Sequence, residues 1–250
     1  MAVIRLQGGS IPPPVRVGGS IATETLQFQS DGVALTGFLA EPSAAPDGAP
    51  AILVLHEWWG LTDHIKGIAR RCAAQGYIAL APDLYARLGS KVASTVEEAA
   101  ALMNALSAQA VLRDLNAATR CVAALPVVDP RRIAVMGFSM GGTFALTQAI
   151  HNSDLKAAVS FYGKVPPVES LDSLLSPVLY HYPAKDGWVT SQEVALLRQA
   201  KEKFGKSIEV CVYPEAAHAF CNETRPDVYR AADAALAWDR TVQFLANRMP

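Results

Sequence analysis

Residues 132–142 read Arg-Ile-Ala-Val-Met-Gly-Phe-Ser-Met-Gly-Gly, an apolar run that ends in G-x-S-x-G and passes into a helical stretch from Thr143 to Ile150. A serine on such a strand-to-helix turn presents its hydroxyl at the tip of a tight bend, where a Cβ at Gly137 or Gly141 would crowd the chain. The first turn of the helix also aims free backbone N–H groups at negative charge developing nearby. Ser139 is therefore the candidate nucleophile for acyl transfer. The five-residue pattern alone is common, and a plain structural turn would satisfy it. The strand before it and the helix after it give it weight.

A serine hydroxyl needs a base, and the base needs a carboxylate to orient it. On a strand-turn-helix nucleophile these partners follow in the order acid, then histidine, each after a later strand. Asp186, in Ala184-Lys-Asp-Gly-Trp188, follows an apolar run ending near Tyr182, and His218 follows another ending near Tyr213. Asp186 also fits a simple turn former, but its order and spacing make it the leading acid. His56 and His181 fall within apolar runs and read as hydrogen-bonded core residues, while His64 and His151 stand at helix ends where surface capping suffices. Asp154 and Asp172 lie in polar loops and read as solvated.

These side chains must be positioned by a scaffold, and its pattern is legible. Apolar runs at 51–56, 77–81, 132–138, 156–162, 177–182 and 207–213 are short and continuous, as strands covered on both faces require. Between them, Ile65, Ile68, Ala69 and Cys72 follow a helical period that Gly76 stops. Ser94-x-x-Glu97 and Thr190-x-x-Glu193 have the spacing of capping boxes, and Pro126 and Gly205 end the helical regions they open. Val228, Ala231, Ala235, Trp238, Val242 and Leu245 give a last helix one apolar face. Alternating strands and helices predict a largely parallel sheet with helices on both faces. Residues 25–29 and 33–41, joined by Asp31-Gly32, predict an antiparallel hairpin at its start. Residues 1–22, rich in Pro and Gly, read as an irregular arm, and 23–250 as one domain.

The chain has 250 residues and a net charge of -1, from 22 Lys+Arg against 23 Asp+Glu, with 51% hydrophobic and 18% charged residues. Near-neutrality without basic blocks gives no footprint for nucleic acid or an anionic membrane surface. No apolar run approaches the roughly 18–20 residues of a membrane span, and the first 20 residues lack the apolar core of a secretory leader. The expectation is a cytoplasmic protein. Cys72, Cys121, Cys211 and Cys221 match neither a C-x-x-C redox pair nor a zinc-ligand set, so buried free thiols are expected.

Five separated motifs give the chain a resemblance to the dienelactone hydrolase family of the α/β-hydrolase superfamily, over about residues 24–248. They are Leu53-Val-Leu-His-Glu-Trp-Trp-Gly60, Ala81-Pro-Asp-Leu-Tyr-Ala-Arg87, Gly137–Gly142, Asp186-Gly-Trp188 and His218-Ala-Phe220. The resemblance implies the α/β-hydrolase fold, a Glu57 directed at the nucleophile, an oxyanion hole from the amides of Trp58 and Met140, and a substrate carboxylate held by Arg87. A carboxylate directly after an apolar strand is costly to bury unless paired, so Glu57 needs a partner in any case. A structural hydrogen bond to a nearby loop would also satisfy it.

The chain departs from the family pattern in two places. Family members usually carry cysteine where Ser139 stands. A glutamate and a thiol differ by only about 4 units in reference pKa, or roughly 6 kcal/mol, but a hydroxyl is far less acidic. Here His218 must be the base, and Glu57 a hydrogen-bonding or field-shaping group. Second, the family often has an arginine four residues after the histidine, where this chain has Asn222, so the arginine pair that would clamp a carboxylate is incomplete. Arg225 is close in sequence.

The expectation is a serine hydrolase of a small-molecule ester or lactone, working through an acyl-enzyme with no metal or organic cofactor. Tyr85, Trp58, Trp59, Trp188 and Phe220 are candidate pocket lining, though each could equally be core. Their number favours a small, flat or aromatic acyl group. Two alternatives remain: a general carboxylesterase in which Arg87 is structural, and a non-catalytic ligand-binding homologue.

Overall fold

The computed structural model describes residues 19–250. Eight strands form its sheet: β1 (Ile21–Ser30), β2 (Val33–Pro42), β3 (Ala49–Leu55), β4 (Ile78–Pro82), β5 (Val128–Phe138), β6 (Leu155–Phe161), β7 (Val178–Pro183) and β8 (Ile208–Tyr213). The helices are α1 (Asp63–Ala73), α2 (Val96–Ala105), α3 (Ala108–Ala123), α4 (Met140–His151), the single turn α5 (Val168–Leu171), α6 (Ser191–Phe204) and α7 (Ala231–Arg248), with a 3-10 turn at Ala86–Leu88. All six apolar runs are strands, and their ends move by a few residues. The strand order is β1-β2-β4-β3-β5-β6-β7-β8. β1, β2 and β4 pair antiparallel, and β4 through β8 pair parallel.

Asp31 and Gly32 both take positive φ, +49° and +73°, the backbone twist a two-residue hairpin turn demands, and this fixes Ser30 opposite Val33. The arm expected over residues 1–22 lies almost wholly outside the described residues. Ile21 and Ala22 are already strand, paired with Pro42 and Glu41.

Period-two alternation in the central strands divides the core between the two faces of the sheet. Along β3, Ala51, Leu53 and Leu55 join the layer under α3, α4 and α6, while Ile52 and Val54 join the layer under α1 and α7. Burial on both sides is the physical reason these runs are continuously apolar.

Two capping expectations fared differently. At α6, Thr190 and Glu193 cap each other's backbone as expected, and Gly205 closes the helix at φ +64°. At α2 the box is shifted by one residue. Thr95 Oγ1 accepts from the Glu98 amide, and Glu98 reaches back to the amide and hydroxyl of Ser94. The helical region it opens is also broken at Leu106, which is extended, before Ser107 caps α3.

His64 and the thiols also differ from expectation. His64, in the first turn of α1, is buried against Phe138, with neither ring nitrogen bonded among the described residues. Cys72 is buried as expected, whereas Cys121, Cys211 and Cys221 are partly exposed.

Candidate active site

β5 delivers the candidate nucleophile. It runs into α4 through Ser139, whose φ of +53° and ψ of -116° belong to no ordinary basin for an L-residue. The bend is held by the Ser139 amide, which donates to the Phe161 carbonyl on β6 across 2.9 Å. A Cβ on Gly137 would overlap the Gly141 carbonyl, and one on Gly141 would overlap the Leu55 and His56 carbonyls at the end of β3. The glycines therefore let the start of α4 sit against the β3 terminus.

The loops after β7 and β8 bring the two partners. Ser139 Oγ is 2.8 Å from His218 Nε2, and His218 Nδ1 is 2.6 Å from Asp186 Oδ2. The other Asp186 oxygen accepts from the Trp188 and Val189 amides at 2.7 and 3.0 Å, so the carboxylate is anchored in the acceptor role. With a carboxylate at Nδ1, that nitrogen carries the proton, and Nε2 is left to accept from the serine hydroxyl. The His218 ring lies edge-on between Trp188 and Tyr162, at 5.1 Å from each.

Glu57, directly after β3, is buried at the pocket wall. Its Oε2 accepts from Asn222 Nδ2 at 2.8 Å, and Oε1 has no hydrogen-bond partner among the described residues. Burial is the dominant influence and raises the Glu57 carboxyl above the ordinary carboxylate range, against the opposing pulls of Asn222, His218 and Arg225. Tyr162, which the sequence reading overlooked, is fully buried beside Glu57 and held at φ +43°. Its only sequence signal is its place right after an apolar strand.

A cavity of about 410 Å³ opens over Ser139 and His218. Trp58, Trp59 and Trp188 line it, with Met103, Ala217, Ala219 and Val228 on the apolar wall. Phe220 and Tyr85 are core instead. Phe220 packs on Tyr162 and Tyr213 beneath the histidine, and Tyr85 donates its hydroxyl to the Trp58 carbonyl at 2.7 Å. Asn222 is buried behind Glu57 rather than lining the cavity. Met140 is N1 of α4, where an amide has no intrahelical acceptor.

Arg87 is not placed at the cavity. Its guanidinium makes a bidentate pair with Asp114 on α3, 2.7 Å on each arm, and donates to the Ser30 carbonyl at 3.1 Å. The fork is thus committed to tying the 3-10 turn to α3 and the β1–β2 turn. The cations that do line the cavity are Arg225 and Lys185, paired with Asp227 and Glu215 respectively.

A parallel-rich sheet with a serine on a strained strand-to-helix bend, and an acid and a histidine from later loops, defines an α/β-hydrolase. More narrowly, the chain belongs to the dienelactone hydrolase family, whose model matches residues 35–249. Members of that family are hydrolases of ester and lactone bonds. A protein from Yersinia pestis named "Putative carboxymethylenebutenolidase" is 35% identical over 230 residues, covering 87% of this chain and 85% of its own. One of the same name from Salmonella typhi is 33% identical over 243 residues, covering 92% and 88%. A crystal structure titled "Putative Dienelactone Hydrolase" from Klebsiella pneumoniae superposes with a TM-score of 0.85 at 32% identity, covering 91% of this chain and 99% of that one.

Proposed function

We propose that this protein hydrolyses a small, uncharged ester or lactone through a serine acyl-enzyme. The observation that carries the reading is the continuous relay from Ser139 Oγ through His218 to Asp186, at 2.8 and 2.6 Å. Ser139 attacks the carbonyl as His218 Nε2 takes its proton, and Asp186 stabilises the imidazolium. The amides of Trp58 and Met140 receive the oxyanion. His218 returns the proton to the leaving alkoxide, then activates the water that resolves the acyl-enzyme.

The uncharged character of the substrate is supported by the cations around the site. At the cavity, Arg225 is engaged by Asp227 and Lys185 by Glu215, and away from it Arg87 is engaged by Asp114, while the apolar part of the cavity wall is three tryptophans, a methionine, a valine and two alanines. A substrate carboxylate would have to compete with carboxylates already in place.

The test is covalent labelling with a fluorophosphonate probe together with turnover of a panel of neutral aryl esters, lactones and anionic esters. Labelling of the wild type but not of Ser139→Ala, with neutral substrates preferred, is the expected result. Failure of the wild type to label would leave a ligand-binding role. A strong preference for anionic substrates would reinstate a carboxylate clamp.

A further inference from the structure

The oxyanion hole invoked above needs the Trp58 N–H to point at the reacting oxygen, and that N–H belongs to the peptide whose carbonyl is that of Glu57. In a trans peptide the two groups point in opposite directions, so whatever fixes the carbonyl also fixes the amide. The Glu57 carbonyl is held from behind by two donors. His56 Nδ1 lies 2.6 Å from it, and the Gly60 amide donates to it at 3.2 Å. The Trp58 N–H itself has no acceptor among the described residues.

The tautomer of His56 follows from its other contact. Its Nε2 is 3.0 Å from the Leu84 amide nitrogen, which can only donate. Nε2 must therefore be bare, and the single proton of the neutral ring sits on Nδ1, facing the Glu57 oxygen. Burial lowers the basicity of the fully enclosed ring, against the opposing pulls of the Glu57 carbonyl and of the Asp83 carboxylate 3.9 Å from Nε2, and the Leu84 contact is that of a neutral ring. The ring sits 5.1 Å from that of Tyr85, whose hydroxyl donates to the next carbonyl, that of Trp58, and lies 3.7 Å from Met140 Sδ. Two consecutive peptides are thus pinned through their oxygens, and Tyr85 touches both residues that supply oxyanion amides.

We infer that His56 is a positioning residue for the oxyanion hole: its Nδ1–H holds and polarises the Glu57–Trp58 peptide so that the Trp58 N–H is aimed, and strengthened, as a donor to the oxyanion. Polarisation follows because a hydrogen bond accepted at a carbonyl oxygen makes the same peptide's N–H a better donor. The role rests on the Ser139 mechanism proposed above.

Two isosteres separate the bonds of the ring. In His56→Asn the side-chain NH2 takes roughly the place of Nδ1 and keeps the donor to Glu57. In His56→Gln the amide oxygen reaches roughly the place of Nε2, so the Leu84 amide keeps its acceptor and Glu57 loses its donor. With p-nitrophenyl acetate, His56→Gln is expected to lose about 10- to 100-fold in kcat with KM within about twofold. Its Ki for a trifluoromethyl ketone should rise in step with the loss in kcat/KM. His56→Asn should recover most of that loss even where its melting temperature is no higher. Equal losses in the two variants, losses that follow thermal stability, or an effect on KM alone would overturn the inference. The Trp58 amide proton chemical shift gives a readout independent of turnover: it should move upfield in His56→Gln and not in His56→Asn. An unmoved Trp58 amide in His56→Gln defeats the inference. A wild type that neither labels nor turns over defeats the serine mechanism instead.

Discussion

Asn222 donates its side-chain N–H to Glu57 Oε2 across 2.8 Å, joining residues 165 apart in sequence at the back of the cavity. A neutral amide supplies a hydrogen bond without a countercharge, and the Arg225 guanidinium that bears on Glu57 is engaged by Asp227. Burial therefore dominates, and the Glu57 carboxyl is raised above the ordinary range.

That direction sets a dependence of stability on pH. A carboxyl whose folded pKa lies above its unfolded value binds more protons in the native state between the two, so stability falls as pH rises through that window. Each unit of elevation costs about 1.4 kcal/mol above the folded pKa. Glu57→Gln keeps an oxygen for Asn222 and removes the ionisation. Thermal melts of the variant and the wild type should coincide near pH 4 and diverge with rising pH, the variant being the more stable at pH 8. A wild type that gains stability over the same range relative to the variant would mean that Glu57 is held as the anion.

Much of this arrangement was legible in the residues, and the limits have physical causes. Strands buried on both faces carry the strongest signal, and five of the six apolar runs are of that kind, while β8, at the sheet edge, is half-exposed and still forms; the glycine-bracketed bend at Ser139 follows from sterics local to the sequence. That Asp186 and His218 would meet Ser139 was readable because chain order constrains which loops converge on the bend. Arg87 was not readable, because its engagement depends on Asp114, which the fold brings to it from α3. Tyr85 and Phe220 have the composition of pocket lining, but only packing decides which face of an aromatic ring meets the cavity. Tyr162 is a product of tertiary enclosure, with no local pattern to mark it, and His56 was legible as a hydrogen-bonded core residue but not in its orientation, which depends on the Leu84 amide that the fold brings to it.

The double role of the Asp186 carboxylate makes its replacement informative. Asp186→Asn preserves the shape, but its NH2 facing His218 would favour a proton on Nε2, where the serine hydroxyl must be accepted. A fall of about 10³- to 10⁴-fold in kcat with little change in KM is expected, partly relieved at high pH. Steady-state kinetics with a neutral aryl ester checks this. A loss under tenfold would show that His218 does not depend on Asp186.

Arg87 joins three elements through Asp114 and Ser30, so Arg87→Ala should act on stability. A partly buried bidentate pair contributes about 1 kcal/mol, equivalent to a drop of about 2–4 °C in melting temperature for a domain of this size. Values of kcat/KM should shift by the same factor for matched neutral and anionic esters. A selective loss on the anionic ester, without a change in melting temperature, would return Arg87 to a substrate-binding role.

Trp188 stands edge-on to His218 at 5.1 Å and lines the cavity with the edge-to-face pair Trp58 and Trp59 on its wall. Flat apolar walls favour an acyl group that presents a face, and a well-oriented aromatic contact is worth about 0.5–1.5 kcal/mol beyond its buried area. The wild type should therefore prefer phenyl-bearing acyl groups over alkyl groups of equal carbon number, and Trp59→Ala should lower that preference by about 3- to 10-fold. Trp59 is the better position for this test, because Trp188 also donates its amide to Asp186 and flanks His218. Matched benzoate and alkanoate esters of one leaving alcohol isolate the acyl term. A wild type that prefers long alkanoates would show that the tryptophans frame an open channel and not a platform for a flat substrate.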